Sequence, residues 1–308
     1  MTYDVIVIGG GPAGLSGAVA LSRALRRVLV VDSGEPRNAP AAGIHNYLTS
    51  DGMSPAEFAA AGRAEVRRYG GEIVDGRVVS ASRAAGFFEV ELADSSVHRA
   101  RRLLVTAGAR DELPGIPGLA ERWGHTVLHC PYCHGYEVRG AAIGVVGDSA
   151  MAVPKALLWR QWSENVTLFL HTAPEPDEDQ SRQLAARGIT VVRGLVEAVG
   201  DDGARVDGKT YPVDAYVVQT RLTAPADLAG LTPREHPMGS GTYLPAEDPT
   251  GRTSVPGVCV AGNVADPMAQ VVTSAAAGLA AGAAINMDLI TEDVAAAVAN
   301  HQAAVGIR

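Results

Sequence analysis

The residues best spaced to do chemistry are two cysteines separated by two residues, in Cys130-Pro131-Tyr132-Cys133. That spacing lets both sulfurs close one disulfide, and a neighbouring group can lower one thiol pKa, so the pair reads as a redox dithiol. Three other readings compete with it. A zinc half-site would need a second cysteine pair or a cysteine–histidine partner, and Cys259 alone does not provide one, although His129 and His134 flank the pair. Cys-Pro-Tyr-Cys-His also matches the C-x-x-C-H attachment site for haem, a chemistry of exported proteins. Two cysteines packed in a core are the plainest alternative. His134 is the candidate acid or base, because its ordinary pKa lies near neutrality, and as an imidazolium it would favour a Cys133 thiolate. His129, Tyr136 and Glu137 are weaker candidates for the same chemistry. Cys259 lies in the apolar run Val258 to Ala261 and reads as a core residue.

The elements that must position this pair follow a repeated plan. Tyr3 to Ile8 is a short β-branched run, as a buried strand is, and Leu15 to Leu25 is Ala/Leu-rich, as a helix is. Between them Gly9, Gly11 and Gly14 satisfy G-x-G-x-x-G, and Arg27 to Val31 is a second strand ending at Asp32. In such a turn the glycines allow the tight bend, the approach of a pyrophosphate and close packing of helix on strand. The helix start, with Pro12 and Ala13, offers free N–H groups to phosphate, and Asp32, followed by Ser33, is placed to accept hydrogen bonds from a ribose. This dinucleotide-binding plan in the same chain favours the redox reading of the cysteine pair.

The plan recurs from Ala142, with a strand over Ile143 to Val146, a turn from Gly147, a helix over Val153 to Ser163 and a strand over Asn165 to Leu170. A further strand over Arg102 to Thr106 ends in Thr106-Ala107-Gly108. Another over Gly257 to Ala261 ends in Gly262-Asn263 and precedes a helix over Ala269 to Met287. Pro114, Pro117 and Gly118 mark one linker, and Gly239 to Gly241 mark another. The expected fold class is therefore α/β with two Rossmann-like, doubly wound domains. The first is discontinuous (1–113 and 240–308), and the second (114–239), carrying the cysteine pair, is inserted in it.

Composition bounds the partners. The chain has 308 residues, 47% of them hydrophobic and 19% charged, which suits two globular domains. A formal net charge of −8 argues against nucleic acid as a main partner, since neutralising phosphate needs an excess of Lys and Arg. Three cysteines are too few for a disulfide framework. The N-terminal stretch lacks a basic segment and is interrupted by three glycines, unlike an export signal, and the Ala-rich run Ala275 to Ile285 is short for a membrane span. The expectation is a cytoplasmic protein with no membrane contact and no metal.

Gly9 to Gly14, Thr106-Ala107-Gly108, the inserted cysteine pair and Gly262-Asn263-Val264, in that order over nearly the whole chain, resemble the low-molecular-weight thioredoxin reductases. Within that family, Cys130 to Glu137 and Gly34-Glu35-Pro36-Arg37-Asn38-Ala39-Pro40 are similar to the FAD-dependent dithiol oxidases of the gliotoxin and holomycin type. The resemblance implies a homodimer with FAD in the split domain, Cys133 as the flavin-proximal sulfur and Cys130 as the sulfur that exchanges with substrate. Expected cofactor contacts extend to Arg37, Asn38, His45, Val78, Gln270 and Val271. His45-Asn46 borders either the flavin or the substrate pocket. The implied activity is closure of a disulfide in a small-molecule dithiol, with electrons passing from flavin to oxygen and giving hydrogen peroxide. The alternative is an NAD(P)H-dependent disulfide reductase.

NADPH binding is doubtful on the residues themselves. The inserted turn reads Gly147-Asp148-Ser149-Ala150-Met151-Ala152, so a side chain stands at the second glycine position and a negative charge beside the expected phosphates. After His171 come Thr172-Ala173-Pro174-Glu175, without the two arginines that hold a 2′-phosphate in NADPH-using relatives. NADH, which has no 2′-phosphate, stays open, with Glu175 as the candidate to meet a ribose although it sits several residues late.

Overall fold

The computed structural model describes residues 2–226 and 228–305. Along the chain, β1 (Thr2–Ile8), α1 (Pro12–Arg23) and β2 (Val28–Asp32) form the first strand–turn–helix–strand unit. Then come α2 (Pro55–Arg68), β3 (Glu72–Asp75), β4 (Val78–Ala84), β5 (Phe87–Leu92), β6 (Val97–Val105) and β7 (Arg110–Glu112). The middle of the chain holds β8 (Val127–Leu128), α3 (Pro131–His134), β9 (Ile143–Val146), α4 (Ala152–Trp159), β10 (Val166–Phe169), α5 (Glu178–Ala186) and β11 (Thr190–Val192). It continues through β12 (Val196–Gly200), β13 (Gly203–Val206), β14 (Lys209–Tyr211), β15 (Ala215–Val217) and β16 (Arg221–Thr223). The last elements are β17 (Arg234–Glu235), β18 (Thr242–Tyr243), β19 (Val258–Val260) and α6 (Val271–Val305).

The chain divides into two units, Met1–Ala39, Met53–Arg110 and Leu222–Arg308 in one, and Pro40–Gly52 with Asp111–Arg221 in the other. The crossings therefore fall within β7 and β16, earlier than the Pro/Gly-rich stretches suggest. The segment 40–52 groups with the cysteine-bearing unit although its sequence neighbours do not. Local composition marks flexible joints, whereas unit membership follows from which side chains a segment touches.

In the first unit the sheet runs β3-β2-β1-β6-β5-β4, with β19 also on β6. The run from β3 to β6 is parallel, as is β6 with β19, while β5 and β4 add antiparallel. β6 serves two partners in succession, β5 through Val97–Ala100 and β19 through Leu103–Val105. Val5, Val7, Val28 and Val30 from the strands pack against Leu15, Ala18 and Leu21 of α1, all buried. Burying each such aliphatic side chain contributes roughly 1.5–3 kcal/mol.

The C-terminal helix exceeds the expected Ala269 to Met287 by some eighteen residues. Ala281, Ile285 and Leu289 lie in the core of this unit. On the same helix Asp288, Glu292 and Asp293 pair with Arg102, Arg101 and Arg26, with Arg26 Nη1 2.7 Å from Asp293 Oδ2. Apolar periodicity locates the first part of this helix, and ion pairs with distant arginines hold it as far as Asp293. By length and composition residues 271–304 could also cross a membrane. A buried core face accounts for the same composition.

In the second unit a five-stranded parallel sheet runs β11-β10-β9-β15-β8. A three-stranded antiparallel sheet, β12-β13-β14, packs through Val196, Val199, Ala204 and Val206 against Phe169 and Tyr216. Strand order reverses about β9, so the crevice at the C-terminal ends of β9 and β15 is where a doubly wound domain takes a ligand.

Candidate active site

The first glycine turn is built to leave room. A Cβ on Gly14 would run into the carbonyl oxygen of Gly9 and come 2.7 Å from Thr106 Oγ1. Gly14 therefore lets α1 sit directly on the end of β1. Thr106, buried at the end of β6, donates its hydroxyl to the carbonyls of Ile8 (3.0 Å) and Gly9 (2.8 Å) and fixes the turn from the other side. A Cβ on Gly11 would meet nothing within 4 Å, so that glycine is not required by packing. Its bare backbone faces open space at the start of α1, where Pro12 is the first helical residue.

Asp32 ends β2 beside this space. Its Oδ1 accepts the Gly10 N–H at 3.1 Å, and its Oδ2 accepts from Arg63 Nη1 at 3.0 Å. Arg63, on α2, also pairs with Asp75. A carboxylate has about four acceptor positions, so two remain for ribose hydroxyls. Arg63 is a residue sequence reasoning missed. It lies in no motif, and only the folding of α2 over β2 and β3 brings it to Asp32. Helix α2 has a legible start, with Ser54 and Glu57 forming a reciprocal capping box.

The other expected cofactor residues are placed as follows. Arg37 Nη1 donates to Asn263 Oδ1 at 3.5 Å, and Asn263 Nδ2 donates to the carbonyl of Ala269 at 2.9 Å, shaping the approach to α6. Gly262 packs on Ala13, 3.0 Å from its Cβ if given a side chain. Gln270 immediately precedes α6, which begins at Val271, and the Gln270 carbonyl accepts the Ser274 N–H. Ala107 and Ser33 are exposed, and Asn38 and Gly108 are half-buried. Val78 begins β4 and packs on the core of the first unit. His45 belongs to the second unit.

The cradle fits FAD. It combines an open glycine backbone at a helix start, an acidic residue with free acceptor positions and a Thr106-Ala107-Gly108 edge, all within one unit.

In the second unit Cys130 and Cys133 form a disulfide, with Cα atoms 5.3 Å apart. Both are half-buried. Pro131 opens the short α3, and the Cys133 and His134 N–H groups both donate to the Cys130 carbonyl at 3.2 Å. Tyr132 meets Trp162 edge to face, ring centroids 5.6 Å apart, which backs this turn from the far side. Tyr132 and Tyr136 are mostly exposed (58% and 65%), presenting apolar surface beside the disulfide. His134 is largely buried, and burial holds its pKa below the ordinary histidine value. Glu137 opposes that shift and His45 adds to it. Its ring is therefore neutral near pH 7, able to take a proton.

The segment 40–52 reaches the same turn. Asn46 Nδ2 donates to the Tyr132 carbonyl at 2.7 Å, and His45 Nε2 lies 3.5 Å from Glu137 Oε1. Cys259 is separate from this chemistry, buried in β19 with its thiol pushed up to about 12 by burial.

The second glycine turn differs from the first. Ser149 accepts the Met151 N–H at 3.4 Å through its hydroxyl, and α4 begins without a side-chain cap. From α4, Lys155 reaches across to Gln219, just past β15, at 2.6 Å. Burial lowers its pKa to about 8, and Asp148 offsets part of that shift. His171 accepts the Val196 N–H at 3.0 Å. Glu175 is held by Arg193, Nη2 to Oε2 2.9 Å, rather than left to meet a ribose.

A FAD-fitting cradle and a redox-active disulfide on a doubly wound frame define a flavin-dependent thiol–disulfide oxidoreductase. The chain belongs to the pyridine nucleotide-disulphide oxidoreductase family, whose model matches residues 3–278, and within it is thioredoxin reductase-like. It is 31% identical to thioredoxin reductase sirT of Leptosphaeria maculans, over 96% of each chain. Among solved structures it is similar to HlmI, with a TM-score of 0.90 and 43% identity over 99% of this chain and 98% of that one. It is also similar to an oxidoreductase from Agrobacterium tumefaciens, with a TM-score of 0.89 and 39% identity over 94% and 99%.

Proposed function

We propose that this enzyme oxidises a small-molecule dithiol to its disulfide, with oxygen as the final electron acceptor and hydrogen peroxide as the second product. One observation carries this reading: the second nucleotide turn has Asp148 and Ser149 where the first has an open glycine, and no cation follows it for a 2′-phosphate. Asp148 and Ser149 stand where phosphate would approach the backbone, and Lys155 is committed to Gln219 across the crevice. Glu175 is neutralised by Arg193, and Thr172 to Pro174 supply no cation for a 2′-phosphate. Two missing charge-assisted contacts cost about 1.5–3 kcal/mol each, together a hundredfold or more in affinity. NADPH does not fit these residues, so electrons enter through the disulfide.

A substrate thiolate attacks Cys130 and forms a mixed disulfide, and Cys133 leaves as a thiolate. The second substrate thiol, deprotonated by neutral His134, attacks the substrate sulfur bound to Cys130. The substrate disulfide leaves, and the pair retains two electrons. FAD, held by the Gly9–Gly14 turn and Asp32, supplies the two-electron acceptor that lets the pair close again. Substrate and oxygen are thereby converted to disulfide and hydrogen peroxide, atom for atom. The exposed rings of Tyr132 and Tyr136 suit a compact apolar scaffold around the dithiol.

The deciding measurement is anaerobic mixing of the holoenzyme with NADPH and, separately, with a panel of small dithiols. Dithiols should bleach the flavin absorbance and consume oxygen when air is admitted. Bleaching by micromolar NADPH would instead assign a reductase.

The His134 role has its own check. Because its pKa is lowered, the basic form persists below pH 6.5, and kcat/KM should fall only as pH drops through that lower value. His134→Gln should remove this acidic limb and cost about 10²-fold in kcat/KM. A profile unchanged in shape would assign the proton to another group.

A further inference from the structure

We propose that Asn46 is a positioning residue for the redox pair, holding the Tyr132–Cys133 peptide in the orientation that favours the closed disulfide. The inference rests on the thiol–disulfide exchange itself and not on the direction of electron flow. The peptide between Tyr132 and Cys133 is gripped at both ends. Its oxygen accepts from Asn46 Nδ2 at 2.7 Å, and its N–H donates to the Cys130 carbonyl at 3.2 Å. A donor on the carbonyl polarises the peptide and strengthens the bond its N–H makes, so the two contacts support each other. That N–H belongs to Cys133 and its acceptor to Cys130, so the grip ties the two cysteines together through the backbone.

The loop that presents Asn46 is braced for this task. Gly52 N–H donates to the Ile44 carbonyl at 2.8 Å and closes the loop at its base. Asp51 Oδ1 accepts the Asn46 N–H at 2.9 Å, and Asp51 Oδ2 lies 3.5 Å from His45 Nδ1. His45 in turn faces Glu137, three residues past α3, so the loop meets the redox turn on both sides of Cys133. Asn46 itself has φ of +61°, a left-handed conformation that asparagine tolerates better than most residues. A bare structural loop needs no amide aimed at the carbonyl that directly precedes Cys133.

Reduction by glutathione converts the Cys130–Cys133 disulfide and two glutathione thiols into two cysteine thiols and one glutathione disulfide. Two electrons pass to the pair, and the two protons come from the glutathione thiols. The sulfurs then move apart to non-bonded distance, and a turn of the peptide that Asn46 holds would accompany that separation.

The test is to poise the anaerobic holoenzyme in glutathione buffers of graded ratio. After quenching with an alkylating agent, the labelled fraction of Cys130 and Cys133 is counted by mass spectrometry. Asn46→Gly keeps the left-handed backbone without strain and removes the amide that donates to the Tyr132 carbonyl. It should move the half-reduction point toward the dithiol about three- to fivefold, the value of one solvent-accessible hydrogen bond. Asn46→Asp, which sets an acceptor against the Tyr132 carbonyl, should move it further in the same direction. Asn46 is exposed, so the fold is not at stake, and thermal unfolding with bound-flavin absorbance verifies this in each sample. If both variants titrate at the wild-type ratio, whether or not their melting temperatures change, Asn46 is a loop residue only and the proposal fails.

Discussion

Cys133→Ser is expected to abolish dithiol turnover, a loss of about 10⁴-fold or more, while leaving FAD bound. The magnitude follows from deleting a covalent partner for which nothing else substitutes. The closed pair is the electrophile that a substrate thiolate attacks, and serine oxygen cannot form it. Cys130 then remains a lone thiol, with no leaving group to accept the bond electrons. The FAD cradle, made by Gly11, Asp32 and Thr106, contains no atom of Cys133, so the flavin spectrum should persist. Cys259→Ser is the matching control. That thiol is buried in β19 and pushed up to about 12, so it offers no thiolate near neutral pH, and its loss should leave turnover intact at some cost in stability. Steady-state oxygen uptake and absorbance near the flavin maximum report both quantities. Turnover surviving in Cys133→Ser would remove the disulfide from the reaction.

The second large effect is expected at the glycine turn, where two substitutions should fail differently. Gly14→Val places a side chain against the Gly9 carbonyl and the Thr106 hydroxyl, both backbone-anchored. Overpacking that cannot be relieved by a rotamer costs about 3 kcal/mol, so both folding and FAD binding should suffer, the latter by roughly a hundredfold. Gly11→Ala adds a methyl that meets no protein atom within 4 Å. Its apoprotein should unfold at the wild-type temperature, yet it should bind FAD more weakly, because the methyl occupies the path of the pyrophosphate. Flavin content after gel filtration and a melting curve of the apoprotein separate the two cases. Equal FAD affinity in Gly11→Ala would mean the phosphates lie elsewhere.

The contrast between the two nucleotide turns has a physical basis in side chains rather than backbone. Both follow a parallel strand and open a helix, and both belong to doubly wound sheets. The first keeps an open glycine and a carboxylate with spare acceptor positions. The second spends its polar groups on each other, Lys155 on Gln219 and Glu175 on Arg193. The sheet core of Ile143, Val145, Val166 and Leu168 is apolar throughout, so the fold of this unit does not depend on a bound nucleotide.

Much of the chemistry was legible from local spacing. The cysteine pair, the three glycines, Asp32 at a strand end and the side chains interrupting the second turn all lie within a few residues of the backbone features they serve. Runs such as Val5 to Ile8 and Val28 to Val31 marked buried parallel strands, because such strands need no alternation. What only the tertiary structure decided depends on contacts between distant segments. Arg63 reaches Asp32 from 31 positions away, and Asn46 reaches Tyr132 from 86 positions away. The segment 40–52 joins the unit of the cysteine pair, α6 extends past Met287 with ion pairs to Arg101 and Arg102, and burial lowers the His134 pKa. Spacing along a chain encodes what neighbouring residues can do together, whereas burial and long-range pairing exist only once the chain has folded.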